Sequence, residues 1–283
     1  MEFIRFVQSF HSPFLDTLAQ LITSLGEDYF FIFIAAITIW CINKKIGWRL
    51  SMIALSSAAL NAGLKQIFKV ERPIGGYGIR SLRLETAGGY SFPSGHSQFT
   101  ASIWTAIAKY LDKSWFYFLA GIVMSLVGLS RIYLGVHFFS DVIAGLAIGI
   151  IWAFLADYLL SLLEKKPTYL YLLGALIIVL MPFLPLPDFY KVGGTVLGLI
   201  IGYLLEKRYV NYCEKAPLWV QILKVIIGLA GVLVIKEGLK LLLPSLLLSD
   251  ALRYLSIGVW VTALAPYLFG FLPPKITVKK ESV

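Results

Sequence analysis

Two cysteines, three histidines and sixteen acidic residues in a chain of 283 leave little of the usual equipment of a soluble protein. Cys41 and Cys213 lie far apart near expected cytoplasmic span ends, so no disulfide framework is indicated and both are expected as free thiols. Charged residues make up only 14% of the chain against 58% hydrophobic ones, and mean hydropathy is +0.79. That is too little polar surface to coat a soluble globule of this length. The shortage of acids leaves a formal net charge of +9. In a membrane protein such an excess marks cytoplasmic loops or an anionic ligand site, and no nucleic-acid partner is expected. The opening MEFIRFVQSFHSPF lacks the basic start, uninterrupted apolar run and cleavage site of a secretory signal, so these residues are expected to remain in the mature protein. Tandem repeats and low-complexity tracts are missing too.

What is present is apolar sequence in runs long enough to cross about 30 Å of hydrocarbon as helices. An isolated strand cannot satisfy its backbone in lipid, so the expected fold is all-α, a polytopic membrane bundle. Residues 3–23 mix Phe, Leu and Ile with Arg5, Gln8, His11, Asp16 and Gln20 around Pro13 and read as an interfacial amphipathic helix. Nine spans follow, near 27–43, 47–68, 96–110, 115–134, 137–163, 169–184, 189–206, 218–243 and 250–271. The organisation expected is an amphipathic segment over 1–26, a core over 27–166 and additional transmembrane helices over 167–283, divided softly at Glu164-Lys165-Lys166-Pro167.

Basic residues separate by side. Lys44, Lys45, Arg49, Lys109, Lys113, Lys165, Lys166, Lys207, Arg208, Lys215, Lys275, Lys279 and Lys280 fall on one face of the membrane, and Arg5, Lys191 and Arg253 on the other. The positive-inside rule makes the first face cytoplasmic and puts the long polar connection Lys69–Gly95 outside, in a cell membrane. A loop of that length in a compact chain is usually functional.

Three blocks carry the chemistry: Lys65-x6-Arg72-Pro73, Pro93-Ser94-Gly95-His96, and Ser130-Arg131-x5-His137-x3-Asp141, each at an expected outer span end or in the outer loop. His137 and Asp141 share a helical face, so the carboxylate can hold one ring nitrogen and leave the other as a lone-pair nucleophile. Standing alone, such a pair has tying down a helix end as its competing reading. His96 follows a Pro-Ser-Gly turn that opens an apolar run, where backbone N–H groups point at an anion and a histidine can protonate a departing alkoxide. Ser94 as a plain N-cap is the competing reading. Lys65, Arg72 and Arg131 supply cations for the equatorial oxygens of a transferring phosphoryl group, though singly a snorkelling lysine or a helix-end charge would explain them. Lys69, Arg80 and Arg83 read as solvated loop charges. Lys236, Glu237, Lys240 and Arg253 cluster toward outer ends of the last spans, where Lys236, Lys240 and Arg253 are candidates for substrate contact and mutual salt bridging is the alternative.

All three blocks in order resemble the signature of the type 2 phosphatidic acid phosphatase family, over residues 65–141. The resemblance implies His137 as a nucleophile forming a phosphohistidine, Asp141 orienting it and His96 as acid and base. It further implies phosphate binding by Lys65, Arg72, Ser94, Gly95 and Arg131, with no metal and no cofactor. With His137 starting neutral and His96 protonated, a bell-shaped pH dependence is expected. The favoured substrate is a lipid phosphate monoester or pyrophosphate reached from the bilayer, such as undecaprenyl pyrophosphate, phosphatidylglycerophosphate or phosphatidic acid. Nine spans with an outside N-terminus are also similar to glucose-6-phosphatase, which keeps a phosphorylated sugar as the alternative; a transporter with degenerate motifs is a third reading, against which the intact motifs argue.

Overall fold

In the computed structural model, residues 1–76 and 78–272 are described, apart from the Asp28 side chain. Lys275, Lys279 and Lys280 of the charge count lie outside them. Among the described residues the chain is all-helical, as expected: α1 (Glu2–Gln8), α2 (Pro13–Ser24), α3 (Asp28–Ile37), α4 (Lys44–Phe68), α5 (Gly95–Leu111), α6 (Ser114–Tyr133), α7 (Phe139–Leu163), α8 (Pro167–Leu180), α9 (Pro187–Leu205), α10 (Leu218–Leu242), α11 (Leu247–Val259) and α12 (Ala265–Phe269). Local chemistry sets several ends. Ser12 caps α2 through the Leu15 N–H at 3.2 Å with Pro13 at the first position, and Asp112 stops α5 in the left-handed conformation.

Five helices combine sufficient length with apolar composition to cross a membrane: α6, α7, Pro187–Val210, α10 and Leu247–Phe269. Pro13–Ser24 and Tyr29–Ile42 would make a sixth span, bent by 46°. All nine stretches expected as spans contain helix, but the count of nine is not reached by these criteria. The shortfall is physical: α4 carries Lys44, Lys45, Arg49, Asn61 and Lys65, and α5 is 17 residues rich in Ser and Thr.

The chain forms two compact units, residues 1–32 with 53–159 and residues 33–52 with 160 onward. In the first, α6 packs against α5 and α2. Ile4, Gln8, Ala19 and Thr23 of α1 and α2 are buried, while Phe3, Phe6, Phe10 and Phe14 are exposed, the division expected of amphipathic helices. The reading of Arg80 and Arg83 as solvated loop charges is corrected for Arg83, while Arg80, 39% exposed, is solvated and also paired. Arg80 pairs with Asp16 at 2.6 Å, and Arg83 donates to Glu27 at 2.6 Å, the Gln20 carbonyl at 2.5 Å and Ser24 at 3.0 Å. Gln8 Nε2 donates to the Arg80 and Tyr133 carbonyls, both at 2.7 Å. The loop is thereby fastened to α1 and α2, because its otherwise unpaired backbone and guanidinium groups find partners there.

In the second unit α9 and α11 pack closely, with Gly198 meeting the Leu255 carbonyl and Gly258, the small-residue approach typical of helices in lipid. Trp40 and Trp48 donate their indole N–H groups to the Val261 and Leu199 carbonyls at 2.8 and 3.0 Å, and Arg49 clamps Glu164 through two bonds of 2.7 Å. Cys41 and Cys213 are free thiols.

Candidate active site

The three sequence blocks meet within the first unit. His137 lies between α6 and α7, Asp141 in the first turn of α7, His96 in the first turn of α5, Lys65 in the last turn of α4, Arg131 in the last turn of α6 and Arg72 in the connection between α4 and α5. Backbone bonds tie the blocks together: Ser94 N–H donates to the Asp141 carbonyl at 3.0 Å and Ser91 N–H to the Val70 carbonyl at 2.7 Å.

His137 is buried, with its two nitrogens held differently. Arg72 Nη1 is 2.9 Å from Nε2, and a guanidinium can only donate. Nε2 therefore carries the lone pair and Nδ1 the proton, directed at Asp141 Oδ2 at 3.4 Å. That carboxylate oxygen also accepts from Ser91 Oγ at 2.5 Å and from the Phe138 N–H at 2.9 Å. Asp141 thus holds the first turn of α7 and faces the imidazole at once. Burial lowers the pKa of His137, and the charges of Arg72, Arg131 and Lys65 push the same way against the opposing bond to Asp141. Both effects favour the neutral imidazole over the imidazolium.

Arg72 is fixed further by the Gly89, Gly88 and Val136 carbonyls at 2.9, 2.7 and 3.0 Å, and burial lowers its pKa. Lys65 Nζ donates to the Tyr90 carbonyl. Ser94 is the N-cap of α5, its oxygen accepting from Ser97 Oγ at 3.0 Å, and Gly95 opens the helix against Asn61. Arg131 is fully buried; Nη1 donates to Thr23 at 3.0 Å and Thr86 at 3.3 Å, leaving Nε and Nη2 without a protein partner. His96 Nε2, Thr100 Oγ1, Trp104 Nε1 and Arg83 Nε are likewise buried and unpaired. Native structures leave few buried polar atoms unmet, and the two free guanidinium nitrogens of Arg131 are donors that suit an anionic ligand. Among the described residues no group of three His, Cys, Asp or Glu side chains converges.

Sequence reasoning missed Ser91, Thr23 and Thr86. Each is an ordinary hydroxyl whose partner lies 45 or more residues away, and no local spacing signals that. Lys236, Lys240 and Arg253 belong to the second unit, where Lys236 is 3.7 Å from Glu237 and Arg253 pairs with Asp250 at 2.5 Å.

An all-helical membrane chain with a tautomer-fixed histidine among guanidinium groups falls in the class of membrane phosphatases. The chain belongs to the PAP2 superfamily, which it matches over residues 46–164; residues 190–275 match the PAP2 superfamily phosphatase, transmembrane extension. It is 32% identical over 156 residues to phosphatidylglycerophosphatase B of Bacillus subtilis (strain 168), covering 50% of this chain and 74% of that protein. Over 156 residues it is also 31% identical to sphingosine-1-phosphate phosphatase 1 of Rattus norvegicus, covering 53% of this chain and 36% of that one. A crystal structure of a transmembrane PAP2 type phosphatidylglycerolphosphate phosphatase from Bacillus subtilis superposes with a TM-score of 0.49 at 28% identity, covering 56% of this chain and 82% of that one.

Proposed function

We propose that the chain hydrolyses a lipid phosphate monoester or pyrophosphate through a phosphohistidine on His137. The observation that carries this reading is the Arg72 Nη1 contact of 2.9 Å on His137 Nε2, which marks the nucleophilic lone pair and sets a phosphate-binding cation beside it. Nε2 attacks phosphorus, the P–O bond to the leaving group breaks, and His96 delivers a proton to the departing oxygen. Arg72 transfers its N–H from Nε2 to a phosphoryl oxygen as the new bond forms. His96 then takes a proton from water, whose oxygen attacks phosphorus and releases phosphate, restoring His137. Lys65, Arg72, Arg131, Ser94 and the Gly95 N–H surround the phosphoryl oxygens.

Purified protein in detergent should release phosphate from phosphatidylglycerophosphate, phosphatidic acid or undecaprenyl pyrophosphate in preference to sugar phosphates, at a rate unchanged by chelator. Because a lowered pKa keeps His137 neutral until the pH falls to that lower value, kcat/KM should show no acid limb from the nucleophile at the ordinary histidine pKa of 6.5. Sugar-phosphate preference, or chelator inactivation reversed by one added metal, would refute this reading.

We place the site on the non-cytoplasmic face of a cell membrane, on the strength of the basic-residue asymmetry. In a background without Cys41 and Cys213, a membrane-impermeant thiol reagent added to intact cells should label a cysteine at Gly78 and spare one at Lys113. The reverse pattern would put the chemistry in the cytoplasm.

A further inference from the structure

Gln20, Thr23 and Ser24 of α2, with Glu27 in the turn that follows, stand at i, i+3, i+4 and i+7 and share one side of the helix, while Phe14, Leu18 and Leu21 are exposed on the other. Two arginines meet the polar side. Arg83 takes Gln20, Ser24 and Glu27. Thr23, fully buried, takes Arg131, its Oγ1 accepting from Nη1 at 3.0 Å. Thr86 Oγ1 is the second acceptor at 3.3 Å, with its own hydroxyl donated to the Arg83 carbonyl at 3.2 Å. A guanidinium buried as deeply as Arg131 is usually paired with a carboxylate. Among the described residues Arg131 makes no ion pair, and two hydroxyls hold it instead. Neutral acceptors fix its direction without cancelling its charge, and Nε and Nη2 stay without a protein partner.

We propose that Thr23 is a positioning residue of the phosphate site, aiming Arg131 from the interfacial helix α2, outside the residues 46–164 that match the PAP2 superfamily. The inference rests on the proposed reading in which Arg131 binds the phosphoryl oxygens. Thr23 acts through the arginine alone. A guanidinium is a rigid planar fork, so whatever fixes Nη1 also fixes where Nε and Nη2 point. Without the Thr23 acceptor, Nη1 keeps only the longer bond to Thr86 and the fork is no longer held from both sides.

The test measures orthovanadate affinity as protection of the purified protein in detergent against thermal unfolding, a readout that needs no turnover. It is applied to wild type, Arg131→Ala, Thr23→Ser, and Thr23→Val and Thr23→Ala, the last two both alone and combined with Arg131→Ala. Loss of a hydrogen bond to a charged group should weaken vanadate about ten- to thirtyfold in Thr23→Val or Thr23→Ala, with a similar fall in kcat/KM for phosphate release. Thr23→Ser should stay within about threefold of wild type. In the Arg131→Ala background the same substitutions should cost less than about twofold, because no arginine is left to aim. Equal losses in both backgrounds, or unchanged affinity in whichever of the valine and alanine variants folds, overturn the assignment while the phosphatase reading stands. If Arg131→Ala binds vanadate as tightly as wild type, Arg131 is not a phosphate ligand and the assignment falls together with that part of the proposed function.

Discussion

His137→Ala is expected to reduce turnover by about five to six orders of magnitude, to the level of background hydrolysis, because the account has no other nucleophile. The surroundings should survive the change. Arg72 keeps its bonds to the Gly88, Gly89 and Val136 carbonyls, and Asp141 keeps Ser91 and the Phe138 N–H. Phosphate or vanadate should therefore still bind the variant through Arg72, Arg131 and Lys65, which separates a lost nucleophile from a lost fold. Residual turnover above a hundredth of wild type would mean that another group, or water directly, attacks phosphorus.

Asp141→Asn is expected to cost about three to four orders of magnitude in kcat, by analogy with the loss seen when a carboxylate orienting a catalytic imidazole becomes an amide. The amide oxygen can take the place of Oδ2 and accept from Ser91 and Phe138, so the turn at the start of α7 remains held. What disappears is the negative charge facing Nδ1, and with it the stabilisation of positive charge that develops on the ring as Nε2 attacks. KM should move little, since Asp141 touches the histidine rather than the phosphate. A fall of less than tenfold would leave Asp141 only its role as a helix cap.

The legible part of the site was the part encoded in short spacing. His137 and Asp141 are four apart on a helix, and the Pro93-Ser94-Gly95-His96 turn opens another, so their placement follows from local geometry. The partners of these groups were not legible, because they depend on how the helices pack. Thr23 reaches Arg131 from a separation of 108 residues, and Ser91 reaches Asp141 from 50. Arg80 and Arg83 looked like solvated loop charges for the same reason, as their partners Asp16 and Glu27 lie 64 and 56 residues away. Burial in lipid was legible from composition, but not every helix of the bundle had to be apolar enough to span alone. In α4 and α5 polar residues turn inward, where Asn61 Nδ2 donates to Gln98 Oε1 at 2.9 Å and Ser57 meets Ser102 at 2.8 Å.

The most direct test of the central claim is rapid acid-free quench of purified enzyme with a lipid substrate labelled in the scissile phosphate. Wild type should yield a base-stable, acid-labile phosphoprotein within the first turnover, mapping to the peptide that holds His137, and His137→Ala should yield none. Absence of any trapped species in wild type and in His96→Ala, where breakdown should be slowed, together with inversion at phosphorus in a chiral substrate, would contradict the covalent account.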